Sequence, residues 1–454
     1  MPERQWRSAT LADGEPGFPV TPPAVVAEPL LDLTWADLSS CDLWNAIAAL
    51  DGVETVRHLL LRNARNTDAR ALARLAELCP RTRVLDLRAC PQLRGDSLAA
   101  LSSFRDLAAL KLGDNGQLDD SAIDGLLKCQ SLIFLELVNA TGMTGRAIGR
   151  LADGSVLESL LLGGSPGVDD ECVGRLSALC GLTDLRLARC PISDRALVGL
   201  DRCRNLRHLN VNGCERLGNA AVAAVSSCRE LVELRMSGCQ HLTDVAWTHV
   251  APLTGLGALS VSGSVALSDS GAEMLGKFQH LREFRARGCS RFGDGAARAL
   301  SRCRRLRVLD AAGWNGLTHR GLAAIAGLPE LEECGVSGID DRGLGAFGRT
   351  FGLRVLALIA CPRASLAGFR QLGGLVNLEQ LALIEGTPAD TSVLHSVRHL
   401  PALREVVIDP RQDPETPSPA ANAADSSAGF SFRVVERAVQ ATSIVPERLT
   451  IRYD

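Results

Sequence analysis

The sequence predicts an α/β solenoid, in which one short strand and one helix recur many times along the chain. This prediction depends on the apolar pattern L-x-x-L-x-L, which begins at residues 107, 132, 157, 182, 206, 231, 256, 281 and 306. Successive copies are 25 residues apart, except for one step of 24 residues. A fixed period of roughly 20–50 residues is typical of arrays that stack one supersecondary unit on the next. We therefore expect a horseshoe with a parallel sheet on its concave face and helices on its convex face.

Weaker copies of the same pattern extend the array in both directions. They begin at residues 56, 82, 331, 353, 378 and 403, which gives fifteen strand-like starts between residues 56 and 408. The step from 331 to 353 is short because the loop "SGIDD" lacks three residues that other copies have. We expect each start to form a short strand whose apolar side chains point into a shared core.

A cysteine recurs eight residues after the first apolar residue of many copies. It lies where the chain turns away from the strand, and a small side chain with a weak S–H donor suits a buried position under free carbonyl groups. Other copies carry Asn115, Ala140, Ser165, Ser264, Trp314, Ile339 or Gly386 there. The predicted structural Cys ladder comprises Cys90, Cys190, Cys214, Cys239, Cys289 and Cys361.

An acidic or amide residue follows each turn and opens a stretch of apolar residues at helical spacing. Such residues are favoured at helix N-caps, where the side-chain oxygen accepts a hydrogen bond from a free backbone N–H group. The residues that we expect to cap the helices are Asp96, Asp120, Asp170, Asp194, Asn219, Asp244, Asp269 and Asp294.

No metal, cofactor or catalytic site is predicted. His208 lies between Cys203 and Cys214, but alternation along the strand places it on the face opposite the Cys ladder, so these side chains do not converge on one ion. The sequence has no P-loop, no G-x-S-x-G and no H-E-x-x-H motif. We therefore do not expect an enzyme.

The strand, the cysteine after it and the Asp- or Asn-opened helix together resemble the cysteine-containing leucine-rich repeats of F-box proteins. The resemblance covers residues 56–408 and implies a leucine-rich repeat solenoid. It also implies an alternative function, that of a substrate-recognition subunit in a Skp1–cullin ubiquitin ligase with a Skp1-like adaptor as partner. Residues 30–50 lack the Leu-Pro opening of an F-box. We therefore interpret residues 28–55 as an atypical first repeat that caps the array.

Three segments flank the array. Residues 1–27 are rich in Pro and Gly, and we expect them to be disordered. Residues 409–429 have the composition of a flexible linker. Residues 430–454 become apolar again. We expect this tail to dock on the last repeats, and the alternative is a partner-binding strand or helix that is free in the isolated protein.

Composition and charge restrict the compartment and the partner. We find no signal-peptide pattern and no apolar run long enough to span a bilayer, and fifteen cysteines without an export signal indicate a reducing, cytoplasmic location. The net charge of -3 argues against nucleic acid as the partner. We expect a protein partner, and neither a membrane nor a nucleic acid.

The candidate binding residues lie two, four and six residues after the start of each central copy, where strand alternation turns side chains outward on the concave face. An acid and an arginine two residues apart face the same way, so this face is expected to be solvated and self-neutralised, or to be the footprint of a partner. The last strands instead turn Val355, Ala357, Ile359, Ala382, Ile384 and Val407 outward. The predicted partner-binding residues are Asp184, Arg186, His208, Asn210, Asn212, Glu233, Arg235, Glu283, Arg285, Arg287 and Asp310. The sequence thus favours a non-enzymatic scaffold for protein–protein interaction.

Overall fold

The computed structural model describes residues 30–408 and the backbone of residues 431–434. The predictions for residues 1–27 and 409–429, and for most of the tail, lie outside the described residues. Within them, the chain folds into repeating strand–turn–helix units.

A parallel sheet runs the length of the array, and each strand pairs with the next one in the chain. All fifteen predicted starts form strands, and residues 30–32 add one more before them. The predicted fold class, an α/β leucine-rich repeat solenoid, is therefore confirmed. The strands are β1 (Leu30–Asp32), β2 (His58–Leu60), β3 (Val84–Asp86), β4 (Ala109–Lys111), β5 (Phe134–Glu136), β6 (Ser159–Leu161), β7 (Asp184–Arg186), β8 (His208–Asn210), β9 (Glu233–Arg235), β10 (Ala258–Ser260), β11 (Glu283–Arg285), β12 (Val308–Ala311), β13 (Glu333–Ser337), β14 (Val355–Ile359), β15 (Gln380–Ile384), β16 (Glu405–Ile408) and β17 (Ser431–Val434).

Short helices return the chain from the end of one strand to the start of the next. Most have fewer than nine residues because a period of about 25 residues leaves room for little more than two turns. The α-helices are α1 (Cys41–Ala48), α2 (Ala69–Leu78), α3 (Ala122–Leu126), α4 (Gly145–Gly149), α5 (Asp170–Leu176), α6 (Asn219–Val225), α7 (Val245–Val250), α8 (Asp269–Ala272), α9 (Asp294–Leu300), α10 (His319–Ala326), α11 (Asp341–Phe347), α12 (Leu366–Arg370) and α13 (Thr391–Val397). Single 3-10 segments replace or extend them at Val53–Thr55, Gly95–Ser103, Arg150–Asp153, Asp194–Arg202, Glu273–Lys277 and Gln371–Gly374.

One continuous apolar core lies between the sheet and the helices. The first repeat shares this core, since Trp44 and Ile47 of α1 are buried in it and the Trp44 indole N–H donates to the Leu38 carbonyl at 2.8 Å. In the middle of the array, Phe292 packs edge-on against Trp314 with ring centroids 5.1 Å apart. The inward side chains of the strands therefore continue without a break from residue 33 to residue 408.

The ladder position supplies a side-chain hydrogen-bond donor to the preceding repeat. The Cys90 thiol donates to the Leu61 carbonyl at 3.0 Å, and the Cys214 thiol donates to the Leu187 carbonyl at 3.1 Å. In repeats without cysteine, the Ser165 hydroxyl and the Trp314 indole N–H donate to equivalent carbonyls. Asn115, Ser165, Ser264 and Trp314 thus keep a donor that reaches back about one repeat, whereas Ala140, Ile339 and Gly386 have no side-chain donor at this position. Cys190, Cys239 and Cys289 also donate to the preceding repeat, whereas Cys361 donates to the nearby Ile359 carbonyl.

These thiols are buried and unreactive. All fifteen cysteines are free. Burial raises the pKa of Cys90 to about 11 and that of Cys289 to about 12, so both remain protonated at neutral pH.

The prediction that the acids cap their own helices is wrong in most repeats. The Asp170 carboxylate instead accepts from the backbone N–H and the hydroxyl of Ser193, one repeat further on, at 2.6 and 2.5 Å. Asp269 accepts from three backbone N–H groups of the next repeat, those of Gly293, Gly295 and Ala296. The helix N-termini of neighbouring repeats lie side by side, so these carboxylates bond between repeats rather than within one. The others that bond forward are Asp120, Asp194, Asn219, Asp244 and Asp294.

Candidate functional site

The predicted binding residues share one face of the sheet because the strands pair without slippage. Asp184 is aligned with His208 and then with Glu233. The next outward row contains Arg186, Asn210, Arg235, Ser260, Arg285 and Asp310, one residue from each strand of β7–β12. The structure therefore brings the central candidates together as two parallel rows.

Five of the charged candidates are buried, so the alternative of a solvated face is wrong for these five. Asp184, Glu233, Arg235, Glu283 and Asp310 are all less than 9% exposed. Long neighbouring side chains on closely spaced strands cover one another, which strand alternation does not reveal.

The expected pairing of acid and arginine along one strand is present. The Arg186 guanidinium lies 3.1 Å from the Asp184 carboxylate. Arg285 bonds Glu283 in the same way at 2.6 Å, and Arg235 is hydrogen-bonded to Glu233. Each pair orients an arginine along its own strand.

Further contacts join β8, β9 and β11 into one central network. The His208 imidazole Nδ1 lies 3.1 Å from a Glu233 carboxylate oxygen, and Arg235 reaches Glu283 at 3.6 Å across β10. β10 permits this because it turns only Ala258 and Ser260 outward in these rows. Burial alone would raise the pKa of the Glu233 carboxyl, but hydrogen bonds from His208 and Arg235 and the charge of Arg235 lower it to about 2. Glu233 is therefore ionised at neutral pH.

Asn210 and Asn212 stabilise the turns after the central strands. The Asn210 side-chain oxygen accepts from the Asn212 N–H at 2.9 Å. The Asn212 side-chain oxygen in turn accepts from the Ser237 N–H at 2.7 Å. These two candidates therefore hold backbone that borders the charge network.

A second charge cluster on β2–β5 was missed by the sequence prediction. The Asp86 carboxylate accepts from the Arg62 and Arg88 guanidinium groups at 2.6 and 2.8 Å. Arg88 also lies 3.6 Å from Glu136, and burial raises the pKa of that carboxyl although Arg88 and Lys111 act against it. These residues occupy the same outward positions as the central candidates, so the same rule applied to the earlier copies would have found them.

The last strands carry the predicted apolar outward side chains. Ala312, Ala357 and Ile359 form a small cluster separate from the main core, with Ala360, Ala382 and Ile384 packed against it. Arg287 lies near this cluster, with a guanidinium nitrogen 3.8 Å from the carboxylate of Glu385. The concave face thus changes from charged to apolar between β11 and β15.

In residues 30–408, no three His, Cys, Asp or Glu side chains are placed to hold a metal ion. No helix in the described part of the chain is long and apolar enough to cross a bilayer.

The fold is that of a leucine-rich repeat solenoid, and a buried ion network lies on the outward face of its sheet. No protein-family model matches the chain, and a comparison with curated proteins finds no match. Among solved structures, a chain of the Rad7–Elc1 complex of yeast is 19% identical, with a TM-score of 0.51 over 77% of this chain and 84% of that one. An internalin of Listeria monocytogenes is 17% identical, with a TM-score of 0.46 over 72% of this chain and 80% of that one.

Proposed function

We propose that the chain is a non-enzymatic scaffold that binds a protein partner on the concave face of the solenoid. The observation that carries the proposal is the central ion network, which joins β8, β9 and β11 on the outward side of the sheet, with the Asp184–Arg186 pair of β7 beside it. Buried ion pairs contribute little net stability compared with apolar side chains of similar size, because desolvation offsets their attraction. Their use here is better explained by recognition, since side chains that are already oriented lose little entropy on binding.

Two roles can be separated within the network. Asp184, Glu233 and Glu283 are buried and orient their arginines. Arg186, His208 and Arg285 keep between 12% and 33% of their side chains exposed. We propose that Arg186, His208 and Arg285 contact the partner. The buried acids hold these three side chains in position.

The test replaces the exposed set without placing new charges in the network. Arg186→Gln, His208→Gln and Arg285→Gln are combined in the full chain. Reversal of Arg235 to Glu is unsuitable, because it would put an acid beside the buried Glu233 and Glu283. The matched control combines Arg307→Gln and Arg354→Gln. Both arginines are exposed, lie directly before a strand and pair with an acid.

Partners are captured from lysate and quantified by mass spectrometry against the wild-type chain. We expect at least a tenfold loss of the main partner in the concave triple variant and wild-type recovery in the control. A melting temperature close to that of the wild type would confirm that the triple variant is folded. Wild-type recovery by a folded triple variant would contradict the proposal and would move the site to the convex face, the loops or the ends.

The alternative function is that of a substrate-recognition subunit in a Skp1–cullin ubiquitin ligase. Its support is the resemblance of the repeats to those of F-box proteins, together with a fold shared with a chain of the Rad7–Elc1 complex. Residues 30–50 pack into the core of the first repeat, which favours a capping repeat over an F-box there. Direct binding of purified Skp1, measured by calorimetry, would support the alternative. The cytoplasmic location and the absence of catalysis stay predictions.

A further inference from the structure

Asp310 on β12 is a buried carboxylate that has no ion pair among the described residues. It is 6% exposed, and its hydrogen bond comes from the Ala312 backbone N–H at 3.2 Å. Its neighbour in the row on one side is Arg285, whose guanidinium is held by Glu283 at 2.6 Å. Its neighbour on the other side is Gly335, which has no side chain. An unpaired buried carboxylate is costly, and such a group in a folded protein calls for an explanation.

Arg287 on the adjacent repeat is only loosely held. One guanidinium nitrogen lies 3.8 Å from Glu385, whose side chain is 48% exposed. The other terminal nitrogen, Nη1, is buried and has no hydrogen-bond partner in the part of the chain that the structure describes. An ion pair of this kind contributes at most about 1 kcal/mol. Arg287 can therefore leave its position at little cost.

The floor near Arg287 consists of small and apolar side chains. Gly335, Ala357 and Ala382 follow Asp310 in one row across β13, β14 and β15. Ile359 and Ile384 lie in the next outward row. Three strand spacings amount to about 14 Å, which is wide enough for one helix or one extended segment. We call this surface, made of Asp310, Gly335, Ala357, Ala382, Ile359 and Ile384, the C-terminal trough. Ala382 and Ile384 are half-buried, and the other four residues are buried in the free chain.

Two acids lie in or beside the trough. Asp310 lies within it and Glu385 follows β15, whereas the outward positions of β12–β16 carry no basic side chain. Arg287 reaches across about four strand spacings to Glu385, close enough for its charge to act on the pKa of the Asp310 carboxyl. A cation on an aliphatic stem is therefore the chemistry that the trough already attracts.

We propose that the C-terminal trough is the docking site for a segment of the protein partner that offers a lysine or arginine flanked by apolar residues. The partner's cation pairs with Asp310, and its apolar side chains pack on Ala382 and Ile384, the half-buried members of the trough. Arg287 occupies this region in the free chain and is displaced on binding. The inference rests on the proposed function, and it names the chemistry of the partner.

The proposal predicts opposite effects for two substitutions in the same trough. Asp310→Asn removes the carboxylate that binds the cation and is expected to weaken binding at least tenfold. Arg287→Gln removes the internal competitor and is expected to tighten binding about threefold. A merely structural role for these residues would weaken binding in both variants. Arg307→Gln, outside the trough, is the control and is expected to bind like the wild type.

The probe is a random 12-residue peptide library displayed on phage and selected on the full chain. We expect enrichment of peptides with Lys or Arg beside Leu, Ile or Val. An enriched peptide is then synthesised with a fluorescent label, and its Kd is measured by anisotropy for the wild type and the three variants. A second peptide with Glu in place of each basic residue should not bind.

Several results would overturn the proposal. These are an absence of basic peptides among those selected, equal binding by wild type and Asp310→Asn, or a loss of binding in Arg287→Gln. Binding that arises only after deletion of residues 435–454 would identify the chain's own tail as the occupant instead. A cellular partner that is lost in the triple variant of Arg186, His208 and Arg285 but kept in Asp310→Asn would overturn this inference alone and leave the scaffold function standing.

Discussion

Glu233 connects the central ion network, and its replacement by glutamine is expected to destabilise the folded chain. The residue is 5% exposed and contacts both His208 and Arg235. Its pKa falls from the ordinary 4.5 to about 2 in the folded chain. Each pH unit between these values corresponds to about 1.4 kcal/mol, so the network favours the ionised carboxylate by about 3 kcal/mol. Glu233→Gln also removes a carboxylate from beside Arg235, whose side chain is 4% exposed. The remaining contact with Glu283 joins the Arg235 Nη2 to a carboxylate oxygen at 3.6 Å.

The expected loss is therefore about 3 kcal/mol of unfolding free energy at pH 7, in the range found when one partner of a buried ion pair is removed. Urea unfolding followed by circular dichroism measures this loss, and hydrogen exchange of the β9 amides checks that it is local to the network. Because the folded pKa is depressed, the stabilisation is complete above the unfolded value near 4.5 and disappears as the pH falls toward about 2. The difference between wild type and variant should shrink over the same range.

Glu330→Gln is the matched control. Glu330 also pairs with an arginine, Arg307, at 3.2 Å, but both side chains are more than 40% exposed. Its loss should change the unfolding free energy by less than about 1 kcal/mol. Equal effects of Glu233→Gln and Glu330→Gln at pH 7 would refute the reasoning, because burial would then add nothing to the pair.

Other predictions concern the contacts between repeats and the tail. Asp269→Ala leaves three backbone N–H groups without their acceptor, so we expect a loss of about 3 kcal/mol in urea unfolding, against about 1 kcal/mol for Asp269→Asn. Cys214→Ala removes a donor to the Leu187 carbonyl and should cost about 1 kcal/mol, whereas Cys214→Ser should cost less, since Ser165 donates at the equivalent position. Deletion of residues 410–454 removes β17 from the edge of β16, and we expect a lower melting temperature and aggregation. An unchanged melting temperature would contradict the predicted docking of the tail.

The sequence was sufficient to predict the repeat architecture. Each L-x-x-L-x-L start forms a strand because its apolar side chains can be buried only if neighbouring repeats stack in register. Strand alternation also placed Arg186, Arg235 and Arg285 correctly in one outward row. Periodicity therefore determines which residues share a face.

Burial and pairing between repeats could not be predicted in the same way. Arg235 is buried because small residues on β10 let it reach Glu283, and this depends on the side chains of three strands at once. Arg287 and Glu385 are far apart in the sequence, and the local pattern of neither residue indicates the other. Asp269 has the sequence position of a helix cap but bonds the next repeat, because the spacing of the stacked helices decides which N–H groups it meets.

Asp310→Asn provides a test of stability that is independent of any partner. Burial raises the pKa of the Asp310 carboxyl, although the charges of Arg287 and Arg285 act against it. The folded chain therefore disfavours the ionised form, and stability from this group falls as the pH rises from the unfolded value near 3.8 through the raised folded value. At pH 7 the substitution should raise the unfolding free energy by about 1 kcal/mol, since an uncharged amide replaces an unpaired buried carboxylate. At pH 3.5 the two proteins should be equally stable, because most of the carboxyl is then protonated in both states.

Urea unfolding of wild type and Asp310→Asn at the two pH values measures the difference, and the titration of Glu233 affects both proteins alike. A destabilised variant at pH 7 would mean that Asp310 is held for the fold itself, whereas a stabilised variant that binds its peptide more weakly would mean that the carboxylate is retained for binding.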